Sequence, residues 1–567
     1  MNSVPFAPQS SPRSALPLRS VTRYLCAAAY LDTGFRNKVV DELLGDPYRA
    51  VASSHGDVDI GPVVSHCLRA RAMLAVRDLL LTAVIVIGVV AAPGYMLIWI
   101  VTVAVLAVLW STQIRKQRER RHLNNRTGLV TVAMAGILLL FFFTFLSRYM
   151  LSSPADEFSE GSEPNSALGL FFVLVTLVIV VGYRVAIGML LSRDLRPGAT
   201  ASAGAGTPSD AARIAYLTEA QRGNLTLYSA ENPFVGAGQV ARAWAIAVEL
   251  DRPKSSRARE TPVIDPQELY DFVGLRLVEM RDQVDRPAER LDLQIGDHVI
   301  ARGKVNRLFT NDGTHPLIDP GTGLPVPGLG EAAIRAVVRQ PKAGLRYYQR
   351  ITVGTAAPEI RDENHRLVMP AEDQEVVVSA FVYLAVEGRM LYTEFIVTVL
   401  PPIADAYHLV DRLPRDGAAR IALTSLAVLR GQLLGDLVLA PIRLIGLGYA
   451  TLRDRLVPRR HPQDYILYDY GARSSVREMG AEQGETTYLQ QLDSFRYTKL
   501  IGERLNAGVL DFLEAHDIDT GAYRQQAAAI VNNGTMISGG SFNGTTTVGA
   551  QATVNMAAPS SPMGKAT

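Results

Sequence analysis

Cysteine is nearly absent: Cys26 and Cys67 are the only two thiols in 567 residues. Two thiols build neither a disulfide framework nor a thiolate metal site, so both are read as buried and reduced. Charge of one sign is missing too. The formal net charge is +2, and no basic stripe interleaved with aromatics runs along the chain, so no nucleic-acid partner is expected. Lysine occurs only as Lys38, Lys116, Lys254, Lys304, Lys342, Lys499 and Lys565, the other basic residues being arginine. With abundant alanine, glycine and proline, that bias points to a GC-rich bacterial gene.

The motifs of familiar chemistry are missing as well. There is no G-x-x-x-x-G-K-[ST], no H-E-x-x-H, no G-x-S-x-G and no Cys/His metal spacing. The Gly-rich stretch 319–330 is therefore read as a surface loop. Gly236-Ala237-Gly238-Gln239-Val240-Ala241 fits a loose dinucleotide pattern, but Pro233 precedes it and the following residues read as strand, where a phosphate site needs a helix N-terminus. A tight turn is expected there. His298, His315, His365 and His408 with Asp297, Asp312 or Asp405 offer the one candidate convergence, and structural roles are the expectation. No catalytic residue, cofactor or metal is assigned.

Long apolar runs are what the chain does have. Residues 79–110 carry no charge, a stretch of roughly 48 Å as one helix against a hydrocarbon core of roughly 30 Å. Ala91-Ala92-Pro93-Gly94 breaks it into a hairpin. Four transmembrane helices follow: about 77–91, 95–114, 128–147 and 167–191. Arginines and lysines between the second and third, with Arg69, Arg71 and Arg77 before the first and Arg193 and Arg196 after the fourth, mark the cytoplasmic face. Asp156, Glu157, Glu160 and Glu163 mark the other. Both termini are then cytoplasmic, in a multi-pass protein of the cell membrane. Arg77, Arg115 and Arg184 are expected to snorkel to the head groups.

The remainder divides into a disordered N-terminus (1–18), a small helical cytoplasmic unit (19–76), a flexible linker (193–210), a cytoplasmic α+β domain (211–416), a helical region (417–530) and a Gly/Thr/Asn-rich tail (531–567). Strands are expected at 224–229, 243–250, 347–354, 375–386 and 390–400, the last two hinged at Glu387-Gly388-Arg389. Asp265-Pro266-Gln267-Glu268 starts a helix running to about Val284. The fold expected is α+β with an antiparallel sheet and C-terminal helices. Arginines interrupt 418–456, so it does not span; helices packed on the domain are favoured over an amphipathic helix lying on the membrane. Another helix is expected over 486–516.

Arg23-Tyr24-Leu25-Cys26-Ala27-Ala28-Ala29-Tyr30-Leu31-Asp32, Arg49-Ala50-Val51 and Ser65-His66-Cys67-Leu68-Arg69-Ala70-Arg71, with Pro233-Phe234-Val235-Gly236 and Pro401-Pro402-Ile403-Ala404-Asp405-Ala406-Tyr407, resemble uncharacterised multi-spanning membrane proteins of actinobacteria. The resemblance implies a source and a location but no activity. The function expected is that of a non-enzymatic, membrane-anchored interaction or scaffold protein, with the lipid bilayer and a cytoplasmic protein as partners. Alternatives are a membrane-bound enzyme with an unfamiliar site in 211–416, and a small pore or transporter.

Overall fold

The computed structural model describes residues 18–53, 58–96, 99–100, 102–103, 164–200, 207–229, 232–253, 263–282, 293–306, 315–342, 344–357, 359–370, 372–414, 417–428, 433–456, 461–482 and 487–533. The expected disordered N-terminus, the third expected span and nearly all of the tail lie outside them.

Helices α1 (Ser20–Leu31) and α2 (Thr33–Leu43) meet at Asp32, whose carboxylate accepts from Gly34 N at 2.7 Å and Phe35 N at 3.1 Å. That cap satisfies donors the first turn of α2 leaves open. Helix α3 runs unbroken over Ile60–Ala91, because no proline or glycine stands between Pro62 and Gly88. Its first half (Val63, Val64, Cys67, Ala70) is buried against α1 and α2, while Leu79, Leu80, Val86, Ile87 and Val90 beyond it are exposed. The expected boundary at residue 77 thus falls inside one continuous helix.

Two helices among the described residues are long and apolar enough to cross a membrane: α3, and α4 (Pro164–Asp194) over Leu168–Asp194. That is two of the four expected spans. The second, 95–114, is described only near its start, where Met96 packs on Gly88 and Val103 clusters with Leu81. These pairings place a reversal at Pro93, as the Pro-Gly signal predicts. The expected snorkelling differs. Arg77 is buried, bonded to Asp78 and lying over the Tyr183 ring, and Arg184 is buried too; neighbouring helices cover both side chains.

The end of α4 (Ile187, Leu190, Leu191), Leu195, and Leu217 of α5 (Pro208–Ala220) join the core of α1–α3. Ile403, Tyr407, Val410, Leu413 and Val476 from far along the chain enter the same core. The helical unit is therefore fused to the domain below it rather than hung on a string. Within the expected linker Leu195 is buried and Thr207 already caps α5, its hydroxyl accepting from Asp210 N.

The domain is built on a six-stranded sheet in the order β1-β3-β5-β8-β9-β2, from β1 (Leu225–Tyr228), β2 (Gln239–Glu249), β3 (Leu293–Arg302), β5 (Leu345–Ala357), β8 (Glu372–Glu387) and β9 (Met390–Leu400). The sheet is mixed, not antiparallel: β1 pairs with β3 in parallel, Leu225 opposite Val299, and the other neighbours are antiparallel. The reason is topological. After β1 the chain crosses to the far edge and enters as β2, leaving β1 to be covered later by β3. Short pairs flank the sheet, β4 (Lys304–Asn306) with β10 (Leu467–Asp469), and β6 (Ile360–Arg361) with β7 (Leu367–Met369). The β8–β9 hairpin turns at Gly388, φ +60°.

Helices α6 (Pro266–Asp282), α7 (Glu331–Val338), α10 (Tyr488–Ala515) and α11 (Gly521–Asn533) cover one face of this sheet, contributing Val273, Ile334, Leu505, Phe512 and Tyr523 to a core with Trp244, Val299, Ile351, Val382 and Phe395. α11 also guards the β2 edge: the Gln526 amide accepts from Ala247 N and donates to Ala247 O, mimicking a further strand. α8 (Ala418–Val428) and α9 (Leu433–Leu456) do not join them. Their extensive contacts are with α4 and α3.

Candidate functional site

The histidines do not converge. His298 sits on β3 with its ring 5.0 Å from that of Phe381; His315 accepts from Leu317 N within its own loop; His365 takes a left-handed φ of +57° in the β6–β7 turn. His408 is bonded to Glu375 at 3.0 Å. Asp297 points to the opposite face of β3 from His298 and accepts from the Tyr347 hydroxyl at 2.8 Å, Asp405 pairs with Arg412, and Asp312 lies outside the described residues. Among the described residues no three His, Cys, Asp or Glu side chains are placed to share a metal ion.

The glycine-rich pattern holds an anion, but the protein's own. Gly236 and Gly238, at φ +98° and +91°, aim their N–H groups at Glu478 Oε1, at 2.8 and 3.1 Å. This is a backbone nest closed by an internal carboxylate. Glu478 also forms a capping box with Ser475, so one side chain ties the 232–238 loop to the turn after β10. Sequence reading found the turn; nothing in the local pattern names a partner about 240 residues away.

A second polar cluster joins the N-terminal helices to the sheet. The Arg23 guanidinium forms two bonds to Asp411, one of them Nη2 to Oδ2 at 3.2 Å, and the Tyr24 hydroxyl donates to the same oxygen at 2.7 Å. The ring centroids of Tyr24 and His408 are 4.2 Å apart. Glu375, at the start of the long β8 pairing and at φ +60°, accepts from Ile403 N at 2.9 Å. Arg477 donates to the carbonyls of Glu375 and Pro401 at 2.7 and 2.6 Å. Burial raises the Asp411 carboxyl, but the bonds from Arg23 and Tyr24 outweigh it and hold the group below its usual range. Burial and the Asp411 bond push the Tyr24 phenol up, so it stays protonated. Every charge is answered inside the cluster, and it serves to join two halves of the protein.

The remaining feature is the second face of the sheet. At one end the 232–238 loop covers it, Phe234 lying 4.5 Å from Phe381 and 5.5 Å from Tyr348, ring centroid to centroid. From the buried Tyr348 a ladder leads away from the loop through Tyr383 to Tyr392, centroids 5.6 and 6.1 Å apart, with Arg346 over Tyr383 and Glu394 directly across from it. The helices of the large core pack on the opposite face. Burial raises the Glu394 carboxyl, opposed by Arg346. The adjoining hollow, lined by Tyr270, Val338, Leu345, Arg346 and Tyr383, encloses about 10 Å³, room for about one water molecule and far below the range of small-ligand sites.

Burial sets the His298 imidazole to titrate at about 3, Arg350 adding to the effect. Unfolding releases it to about 6.5. As pH falls between those values the unfolded chain binds a proton the folded chain does not, so stability is present above about 6.5 and drains toward acid at up to about 1.4 kcal/mol per pH unit. His408 has the opposite sign: the Glu375 bond raises it, so its stabilisation is complete below the unfolded pKa and is lost as pH rises through the folded one. Denaturant melts of His298→Leu at pH 4 to 7 are expected to show a flatter acid limb than wild type. Identical limbs would mean that His298 is protonated in the fold.

No curated protein and no solved structure matches the chain. Residues 243–544 match the family described as the AbeC-like domain, a stretch from within β2 through every later strand of the sheet, α8, α9 and α10 to beyond α11, with β1 outside it. The match takes in more than half of the chain, which therefore belongs to the AbeC-like domain family.

Proposed function

We propose that this chain is a membrane-anchored interaction protein that presents the open, tyrosine-lined face of its sheet to a protein partner at the cytoplasmic surface. The topology proposed with it has four spans, α3 and α4 being the first and last, with both termini in the cytoplasm of an actinobacterial cell. What carries the reading is the Tyr383–Tyr392 pair with Arg346. Tyr392 is 38% exposed, and aromatic residues with arginine are the composition of interface hot spots. The shared core of α1–α5 with the 403–413 segment supports it from the other side, since it joins the sheet to α3 and α4. Such a mount suits a docking platform, where a loose tether does not.

The test is a photo-crosslinking amino acid at Tyr392 in cells, with Arg524 on α11 as control. A discrete protein adduct at Tyr392, absent at Arg524 and lost with Arg346→Glu, is the expected result. Equal adducts at both positions, or none at Tyr392 in protein expressed at the native level, would remove the proposal.

A further inference from the structure

Helix α9 has two faces with opposite neighbours. At about 100° per residue, Ala440 and Arg443 share one side, and that side meets the spans: Ala440 is fully buried with Leu81, Val103 and Val180, and Arg443 Nε donates to Asp78 Oδ2 at 2.8 Å. On the other side Leu439, Ile442, Ile445, Tyr449, Leu452 and Leu456 recur every three or four residues, each 46–72% exposed. From Leu439 to Leu452 this stripe carries no charge; Arg453 and Arg455 come only at its end. An unpartnered stripe of that size on a soluble domain is an aggregation hazard.

Depth decides what faces it. Leu81 and Val180 lie inside the uncharged stretches of α3 and α4, and Asp78 stands at the edge of the first. Packing of Ala440 with Leu81, and the bond of Arg443 to Asp78 one helical turn nearer that edge, show α9 running antiparallel to α3, its N-terminal half beside the uncharged stretch of α3. The later residues lead outward to the two arginines. α8 supplies the other arm. A Cβ on Gly188 of α4 would fall 1.7 Å from Ser425 Oγ, the close approach through small residues that membrane helices use, and Leu423 on α8 is 69% exposed.

We propose that α8 and α9 form a monotopic helical pair embedded in the leaflet on the Arg77 side, with the lipid bilayer as the partner of the α9 stripe. The inference rests on reading α3 and α4 as spans. The pair lies within the 243–544 family match while α3 and α4 lie outside it, so the matched portion carries its own contact with lipid.

The full chain in phosphatidylcholine–phosphatidylglycerol nanodiscs, spin-labelled at single cysteines replacing Ile445, Tyr449, Val86 or Glu331, tests this; wild type, whose Cys26 and Cys67 are buried, is the labelling blank. Labels at Ile445 and Tyr449 are expected to match Val86, favouring dissolved oxygen several-fold over a water-soluble nickel chelate, with Glu331 the reverse. If Val86 favours oxygen while Ile445 and Tyr449 favour nickel, the embedded pair is wrong and the spans stand. If Val86 favours nickel, the spans fall and the pair with them. Shielding of Ile445 and Tyr449 from both reagents would assign the stripe to a second copy or another protein, also overturning the proposal.

Discussion

Asp78→Ala is expected to destabilise the detergent-solubilised protein by about 3–5 kcal/mol, the cost of removing one partner from a buried ion pair. Asp78 Oδ1 accepts from Arg77 Nε and Nη2 at 3.0 and 2.7 Å, and the carboxylate takes two more bonds from Arg443 at 2.8 and 3.2 Å. Side-chain exposure is 2% for Arg77, 3% for Asp78 and 27% for Arg443. Deleting the anion leaves two guanidinium groups facing each other with little water. Arg443→Met is milder, because Asp78 keeps Arg77. The double variant is expected to be less damaged than Asp78→Ala alone, a coupling that independent sites do not show. Trypsin reads it directly through the rate of cleavage within α9, which is expected to rise when α9 leaves its seat on α3. A cleavage half-life for Asp78→Ala equal to that of wild type would show that the pair contributes nothing to that seating.

The sequence made the elements legible wherever side-chain period matched burial. Trp244, Ile246 and Val248 alternate with Ala243, Ala245 and Ala247, and the strand expected at 243–250 is β2, Gln239–Glu249. The hinge at Gly388 and the capped start of α6 were equally plain. β3 is not among the expected strands, since Gly296 and Asp297, both poor strand formers, stand in the middle of it. In the fold Gly296 lies beside the Arg350 side chain and Asp297 accepts from Tyr347, so both residues are satisfied by a strand that arrives some fifty positions later. Pairing direction was out of reach for the same reason. Leu225, Thr226 and Leu227 announce a strand, but only the crossover to β2 makes it parallel to β3. The joining clusters were invisible too, since Arg23 and Asp411 are 388 residues apart. The arginines that interrupt 418–456 hide the stripe in the sequence, because Arg443 is used against Asp78 and the apolar residues stand on the other side of the helix.

Cutting the Glu478 carboxylate from its nest tests whether that long-range joint controls the covered end of the open face. Glu478→Ala removes two charge-assisted bonds to Gly236 N and Gly238 N, and at about 1.5–3 kcal/mol for a bond to a charged group, partly offset by water, a loss of about 2–4 kcal/mol is expected. Gly238→Ala attacks the same joint from the backbone side. At φ +91° an added Cβ would meet Val399 O at 2.3 Å, and strain in that region costs about 1–3 kcal/mol before any clash. Both changes release the 232–238 loop, and Phe234, 5% exposed and stacked on Phe381, is the residue that leaves the sheet. His298 packs on that same Phe381 ring, so water gains access to its imidazole. Its titration midpoint, followed by NMR, is expected to climb from about 3 toward the ordinary histidine value of about 6.5 in Glu478→Ala, and less far in Glu478→Gln, which keeps an acceptor oxygen. A merely structural weakening would lower the melting temperature without moving that midpoint. An unmoved midpoint in a folded Glu478→Ala protein would show that Phe234 stays seated without the nest.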